Sequence, residues 1–137
     1  MKLDPSAFQA DPELIQALEK RATPISCGEE RVLFRQGDAP LGLYILNQGE
    51  ATLTMTSPAG QPIITTQAAP GSLLGLPGLI GDEPYTLTAI ARNGAHISFV
   101  TRDDFDALMN SDPLLSLKVL QVLAAEVRSA RNAILQR

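Results

Sequence analysis

The sequence predicts a mainly β fold, a jelly roll or double-stranded β-helix with one helix before it and two helices after it. Short apolar strands separated by turn residues fill residues 31–100. Helix-start patterns stand on either side of this region, at residues 11–13 and again between residues 101 and 113. Because the strands form one run and do not alternate with helices, a β-roll is favoured over parallel βαβ units. We therefore expect a single domain over residues 1–137.

The N-terminal helix is predicted over residues 11–23. In the run Asp11-Pro12-Glu13 the aspartate suits the capping position and the proline suits the first helical position. The glutamate favours the positive end of the helix dipole. An apolar stripe follows, and Pro24 is expected to stop the helix.

The strands of the predicted roll are recognised by the turns between them. Gln36-Gly37-Asp38 and Asn47-Gln48-Gly49-Glu50 each end a short apolar run. Asn93-Gly94 lies between the last two predicted strands, 86–91 and 95–100, and Asn-Gly is a strong turn signal. These turn glycines report the fold and do not by themselves indicate a ligand.

Two C-terminal helices are predicted over residues 101–136. Thr101 suits the cap of the first, with Asp104 three residues on, and Asp112-Pro113 suits the start of the second. Apolar residues of the last helix recur at spacings of three and four, as in a helix–helix seam. The seam consists of Leu120, Leu123, Val127, Ala130 and Ile134. We expect this helix to form a homodimer with its symmetry mate; the alternative is a helix that lies flat on its own domain.

A second stripe on the last helix consists of Leu115, Val119 and Val122, and it continues as Glu126 and Ser129. Because the continuation is polar, we expect the first half of the helix to be covered on two sides. The second half is expected to be covered only along the seam.

Composition restricts the function classes. The 11 basic against 15 acidic residues give a net charge of −4, with no basic stripe, so binding of nucleic acid by this chain alone is not expected. The lone Cys27 forms no internal disulfide, and the lone His96 cannot anchor a histidine-rich metal site or a Ser/His/Asp set. No metal site and no enzymatic activity are predicted. The absence of a leader and of a membrane span predicts a cytoplasmic protein.

Several motifs in a fixed order resemble a known family. They are Phe34-Arg35-Gln36-Gly37-Asp38, residues 43–51 with their Gly-Glu turn, Gly60, Gly71, and the run 104–108 at the start of the penultimate helix. In this order they resemble the cyclic nucleotide-binding domains of the catabolite activator protein class and of protein kinase A regulatory subunits. The resemblance covers roughly residues 12–137, and it implies a β-roll that senses a cyclic nucleotide.

The resemblance also implies a phosphate-binding segment, and here two of its polar residues are replaced. Leu76 stands where the family has a glutamate that binds the ribose, and Tyr85 stands where it has an arginine that binds the phosphate. Gly75 and Gly78 keep the frame. The candidate ligand-binding residues are Gly75, Leu76, Gly78, Leu79, Tyr85 and Thr86, with Ala130 and Arg131 of the last helix as a lid.

The two replacements predict weak or altered ligand binding. A hydrogen bond to a charged group contributes roughly 1.5–3 kcal/mol, so losing two of them weakens binding by about two to four orders of magnitude. The predicted function is a regulatory or sensor domain whose effector is a small molecule, with cyclic nucleotide as the only cofactor that the resemblance suggests. Two alternatives stay open: a ligand-free dimerisation or partner-interaction module, and the sensor part of a transcription regulator without its DNA-binding domain. If the frame is intact, Leu76→Glu with Tyr85→Arg should raise binding.

Overall fold

Eight antiparallel strands form a roll of two four-stranded sheets in this computed structural model, which describes residues 1–136. The first sheet has the order β1 (Thr23–Ser26), β8 (His96–Thr101), β3 (Gly42–Gln48), β6 (Ser72–Leu74). The second has the order β2 (Arg31–Phe34), β7 (Thr88–Ala91), β4 (Ala51–Thr56), β5 (Pro62–Ala68). The helices are α1 (Pro12–Glu19), α2 (Leu76–Gly81), α3 (Arg102–Ser111) and α4 (Pro113–Leu135), and a 3₁₀ turn spans Pro5–Phe8. The predicted fold class is confirmed.

Strand β3 separates two apolar cores, because side chains along a strand point alternately to its two faces. Leu43 and Ile45 point toward the helices, whereas Tyr44 and Leu46 point into the roll. The helix-side core consists of Leu14, Leu18, Leu43, Ile45, Leu73, Leu76, Leu79, Val100, Phe105, Leu108, Leu115, Val119 and Val122. The roll core consists of Phe8, Cys27, Phe34, Leu46, Ala51, Leu53, Ala68, Leu74, Tyr85, Ala89, Ala91, Ala95 and Ile97.

The predicted helix caps form as expected. A carboxylate oxygen of Asp11 accepts a hydrogen bond from the Glu13 N–H at 2.8 Å, and Pro12 is the first residue of α1. The Thr101 hydroxyl accepts from the Asp104 N–H at 3.2 Å. Asp112 caps α4 with its side chain. Each cap satisfies a helix N–H that has no partner within the helix.

Helix α1 is shorter than predicted, and the roll begins earlier. The helix ends at Glu19, four residues before the predicted end at residue 23. Residues 23–26 form strand β1. Pro24 therefore does not stop a helix; it pairs with Ser98 of β8. Strand β1 lies at the edge of its sheet, the position where a strand tolerates proline. No helix within residues 1–136 is long and apolar enough to cross a membrane.

Gly42, in β3, lies where no side chain fits. A Cβ added to this residue would meet the carbonyl oxygen of Val100 and lie 2.5 Å from Cζ of Phe99. We expect Gly42→Ala to lower the free energy of unfolding by about 1–3 kcal/mol, as overpacking does. Gly28→Ala is the matched control, because nothing lies within 4 Å of its added Cβ. Urea unfolding of both variants checks this, and equal shifts of the two midpoints would contradict it.

Candidate functional site

The segment between β6 and β7 carries most of the candidate ligand-binding residues. It leaves β6 through Gly75, whose φ of 94° is the left-handed conformation that favours glycine, and then forms α2. The segment is fastened to the turn after β2. There the Tyr85 N–H donates to the Asp38 carbonyl at 2.9 Å, and the Gly37 N–H donates to the Tyr85 carbonyl at 2.8 Å. The turn of the Phe-x-x-Gly-Asp motif therefore fixes where Tyr85 enters the roll.

The Tyr85 ring fills the space beside the two frame glycines. A Cβ on Gly75 would lie 2.7 Å from Cε1 of the ring, and one on Gly78 would lie 3.3 Å from Cδ1. The ring stacks on Phe34 with centroids 4.0 Å apart and is 4% exposed. Its hydroxyl donates to the Gly42 carbonyl at 2.6 Å and accepts from the Gly42 N–H at 3.3 Å. Tyr85 is thus a packed core residue with a satisfied hydroxyl.

The electrostatics of Tyr85 agree with this packing. Burial is the largest effect and raises the pKa of the Tyr85 phenol. Hydrogen bonds to the backbone of Gly42 and Leu41 lower this pKa, but by less. The phenol is neutral and its hydroxyl is already hydrogen-bonded to the backbone, so it carries no positive charge that could neutralise a phosphate. Tyr85 therefore does not replace the arginine that the resemblance implies at this position.

Leu76 and Leu79 point away from the roll. Both are buried in the helix-side core, where Leu76 is fully enclosed. The sequence-based expectation grouped them with Tyr85, but α2 turns their side chains toward α1, α3 and α4. The space inside the roll is therefore not closed by Leu76, because α2 presents Pro77 and Gly78 to it.

A small cavity of about 20 Å³ remains inside the roll between α2, Tyr85 and α4. It is lined by Phe8, Phe34, Leu53, Leu74, Gly75, Pro77, Gly78, Tyr85, Thr86, Leu87 and Glu126. Of the candidate residues, Gly75, Gly78, Tyr85 and Thr86 lie here. A volume of this size holds about one water molecule.

Sequence reasoning missed Phe8 as a lining residue. The 3₁₀ turn carries it into the roll, where it is 2% exposed. The segment around it is held from both sides: the Leu3 N–H donates to the Thr66 hydroxyl at 2.9 Å, and the Asp4 N–H donates to the Ser129 hydroxyl at 2.6 Å. Phe8 is an apolar side chain in a polar N-terminal stretch, and this contrast was the sequence signal that it is buried.

The last helix presents Glu126 to the cavity, in place of the predicted lid. Ala130 and Arg131 do not line the cavity; Ala130 is half-buried and Arg131 is exposed. Oε2 of Glu126 is buried and has no hydrogen-bond partner among the described residues. Burial raises the pKa of this carboxyl to about 8. The sequence signal for Glu126 was the polar continuation of the Leu115, Val119 and Val122 stripe, which we expected to be uncovered in the second half of the helix.

The other face of α4 is open. Leu120, Val127 and Ile134 are 57%, 65% and 55% exposed, while Leu123 and Ala130 are half-buried. The two stripes predicted that the first half of the helix is covered on two sides. Its own domain covers it on one side only, because Leu120 is exposed. The stripe that ends in Glu126 and Ser129 faces the roll along both halves.

Charged and metal-binding groups are sparse around the cavity. Among residues 1–136, no Lys, Arg or His side chain lines it. Arg92 pairs with Glu30 at 2.6 Å on the surface. Within residues 1–136 no group of three or more His, Cys, Asp or Glu side chains is placed to hold a metal ion.

Comparison with known proteins agrees with the fold and the motif order. The family model of the cyclic nucleotide-binding domain matches residues 25–112. The CRP-like cAMP-activated global transcriptional regulator of Mycobacterium tuberculosis is 25% identical over 122 residues, 89% of this chain and 54% of that protein. The acetyltransferase Pat of Mycolicibacterium smegmatis is 27% identical over 99 residues, 72% of this chain and 29% of that enzyme.

The crystal structure of the Thermus thermophilus catabolite activator protein shares the fold. It superposes with a TM-score of 0.79 at 24% identity, covering 96% of this chain and 62% of that one. The chain spans about half the length of the curated transcription regulator that it matches. The family match covers more than half of the residues, and the ordered motifs, the two-sheet roll and the C-terminal helices agree with it. The chain belongs to the cyclic nucleotide-binding domain family and resembles the sensor domains of CRP-type transcription regulators.

Proposed function

We propose that this chain is a regulatory sensor domain whose pocket has changed, so that cyclic mononucleotides bind weakly or not at all. The observation that carries this proposal is the Tyr85 ring, which fills the glycine cradle beside a cavity of about 20 Å³. Ligand pockets usually measure about 300–1,000 Å³. A cyclic nucleotide would therefore have to displace packed side chains, and its phosphate would meet the Glu126 carboxyl without a lining cation.

Calorimetric titration of the chain with cyclic AMP and cyclic GMP tests this proposal. We expect no saturable heat at micromolar concentrations, because the missing charged contacts weaken binding by about two to four orders of magnitude. Cyclic dinucleotides serve as a further arm, since they carry the same phosphate chemistry on a larger body. Micromolar binding of either mononucleotide would contradict the proposal.

A ligand-free interaction module is the second candidate function. The filled roll core favours it, because a domain that binds nothing has no need of an open pocket. The two candidates differ in one measurement: a sensor shows a saturable response to some small molecule, whereas an interaction module responds only to a protein partner.

The open face of α4 supports a homodimer. Leu120, Val127 and Ile134 form an apolar seam at coiled-coil spacing that this domain does not cover. A second copy presenting the same seam would bury it symmetrically. The proposal therefore includes a homodimer and a role in regulating transcription. It also places the domain in the cytoplasm. It assigns the domain no catalysis and no nucleic-acid binding of its own.

Val127→Glu is expected to convert the dimer to a monomer of about 14.6 kDa, the mass of one chain. A glutamate at the centre of the seam would place two carboxylates against each other across the symmetry axis, and like charges repel. Gln121→Glu is the matched control, because Gln121 is exposed on the same helix away from the seam. Analytical ultracentrifugation measures the mass. If the native chain already sediments as a monomer, the proposed homodimer is contradicted.

A further inference from the structure

Glu126 is the one polar side chain of α4 that lines the cavity. It follows Leu115, Val119 and Val122 on the face of α4 that packs on the domain. Its Oε2 atom accepts no hydrogen bond from any residue in the described part of the chain. Proteins pair nearly all buried polar groups, so an unpaired carboxyl oxygen in a cavity indicates a group that comes from outside the chain.

Within the part of the chain that the structure describes, no charged side chain lining the cavity compensates Glu126. The residues that line the cavity include no basic side chain and no second carboxyl. The only other titratable group among them is the Tyr85 phenol, and its hydroxyl is bonded to Gly42. An ionised carboxylate here therefore lacks a counterion, and burial holds the carboxyl largely protonated near pH 7.

Apart from the hydroxyls of Thr86 and Tyr85, the rest of the wall is apolar. Phe8, Phe34, Leu53, Leu74 and Leu87 line the cavity, so an aromatic or aliphatic body suits it. Apolar walls with a few polar groups are typical of sites for small organic molecules.

Phe8 occupies the space that such a molecule would need. It ends a short 3₁₀ turn, and the residues just before this turn, Leu3 and Asp4, donate hydrogen bonds to Thr66 on β5 and to Ser129 on α4. A ligand that replaces the Phe8 ring would therefore loosen a link to α4, the helix that carries the proposed dimer seam. Occupation of the cavity would then couple to the position of α4 through this segment.

We propose that the roll cavity binds a small organic cation, an amine on an apolar ring or chain, whose ammonium pairs with the ionised carboxylate of Glu126 while its body replaces Phe8. This inference rests on the proposed sensor function and names the ligand class of the same site.

A charge series on one body tests the proposal. Benzylamine, benzyl alcohol and benzoate are titrated into the native chain at pH 7, with binding followed by amide chemical shifts and calorimetry. A hydrogen bond to a charged group contributes about 1.5–3 kcal/mol, so we expect benzylamine to bind about 10- to 100-fold more tightly than benzoate. Benzyl alcohol is expected between them.

Proton release provides a second readout. Below the carboxyl's pKa of about 8, Glu126 must lose its proton to pair with an ammonium group. The heat of benzylamine binding at pH 7 should therefore depend on the ionisation enthalpy of the buffer. Glu126→Gln keeps the side-chain size and is expected to abolish both the charge preference and the proton release. Glu29→Gln, an exposed change of the same charge, is the control and should alter neither.

Phe8→Ala keeps the test decisive if the native chain binds too weakly to measure. The variant opens the cavity, and the order of the three ligands should persist in it. Absence of binding to both chains, as for a cavity that holds only water, would overturn the inference. A preference that survives Glu126→Gln would do the same. Tight binding of cyclic AMP in a fourth arm would instead overturn the proposed function.

Discussion

Leu76→Glu is expected to lower the free energy of unfolding by about 3–5 kcal/mol, the cost of leaving an unpaired charge in a protein interior. Leu76 is fully buried in the helix-side core among Leu14, Leu43 and Phe105. A glutamate here has no route to the roll cavity, because α2 directs this side chain toward the other helices. The substitution should therefore leave binding of cyclic AMP as weak as before.

This expectation reverses the one drawn from the motif alone, in which Leu76→Glu restores a ribose contact. Leu76→Met is the matched control, because a hydrophobic exchange of similar volume usually costs less than about 1.5 kcal/mol. Urea unfolding gives both free energies. A glutamate variant that is as stable as the native chain, or that gains cyclic AMP binding, would show that this side chain turns into the roll.

Tyr85→Ala should lower the free energy of unfolding by about 3–5 kcal/mol, as does the removal of other buried aromatic side chains. The ring stacks on Phe34 and fills the space beside Gly75 and Gly78, so its removal leaves a void in the roll core. Thermal or urea unfolding measures the loss.

Tyr85→Phe separates the ring from its hydroxyl. It keeps the stacking on Phe34 but leaves the Gly42 backbone without its partner, which costs about 1–3 kcal/mol. The ring therefore contributes more than the hydroxyl if Tyr85 acts as packing. Equal losses in the two variants would assign the stability to the hydrogen bonds and would weaken the interpretation that Tyr85 fills the pocket.

Local sequence determined the order and type of most elements. The caps at Asp11, Thr101 and Asp112 use a side chain and an N–H only two or three residues away, so their patterns are readable without the fold. The turn at Asn93-Gly94 is equally local, with Gly94 at a φ of 77°. The strand β1 was missed because its four residues form a strand only by pairing with β8, far along the chain.

The site depended on contacts that sequence spacing does not encode. Motif alignment placed Leu76 and Tyr85 side by side in one binding segment, but the tertiary structure sends Leu76 to the helix-side core and Tyr85 to the roll core. Which face of a short helix is buried depends on what packs against it, and here three other helices lie on the side of Leu76.

What the sequence by itself determined is the family, the β-roll and the replacement of both charged ligand-binding residues. What only the tertiary structure decided is what occupies the pocket: the Tyr85 ring, Phe8 from the N-terminal turn and Glu126 from α4. The links that bring these groups together join residues far apart in the chain, such as Leu3 to Thr66 and Asp4 to Ser129. Such contacts form only when the whole roll closes, because each one depends on the packing of elements that are not neighbours in sequence.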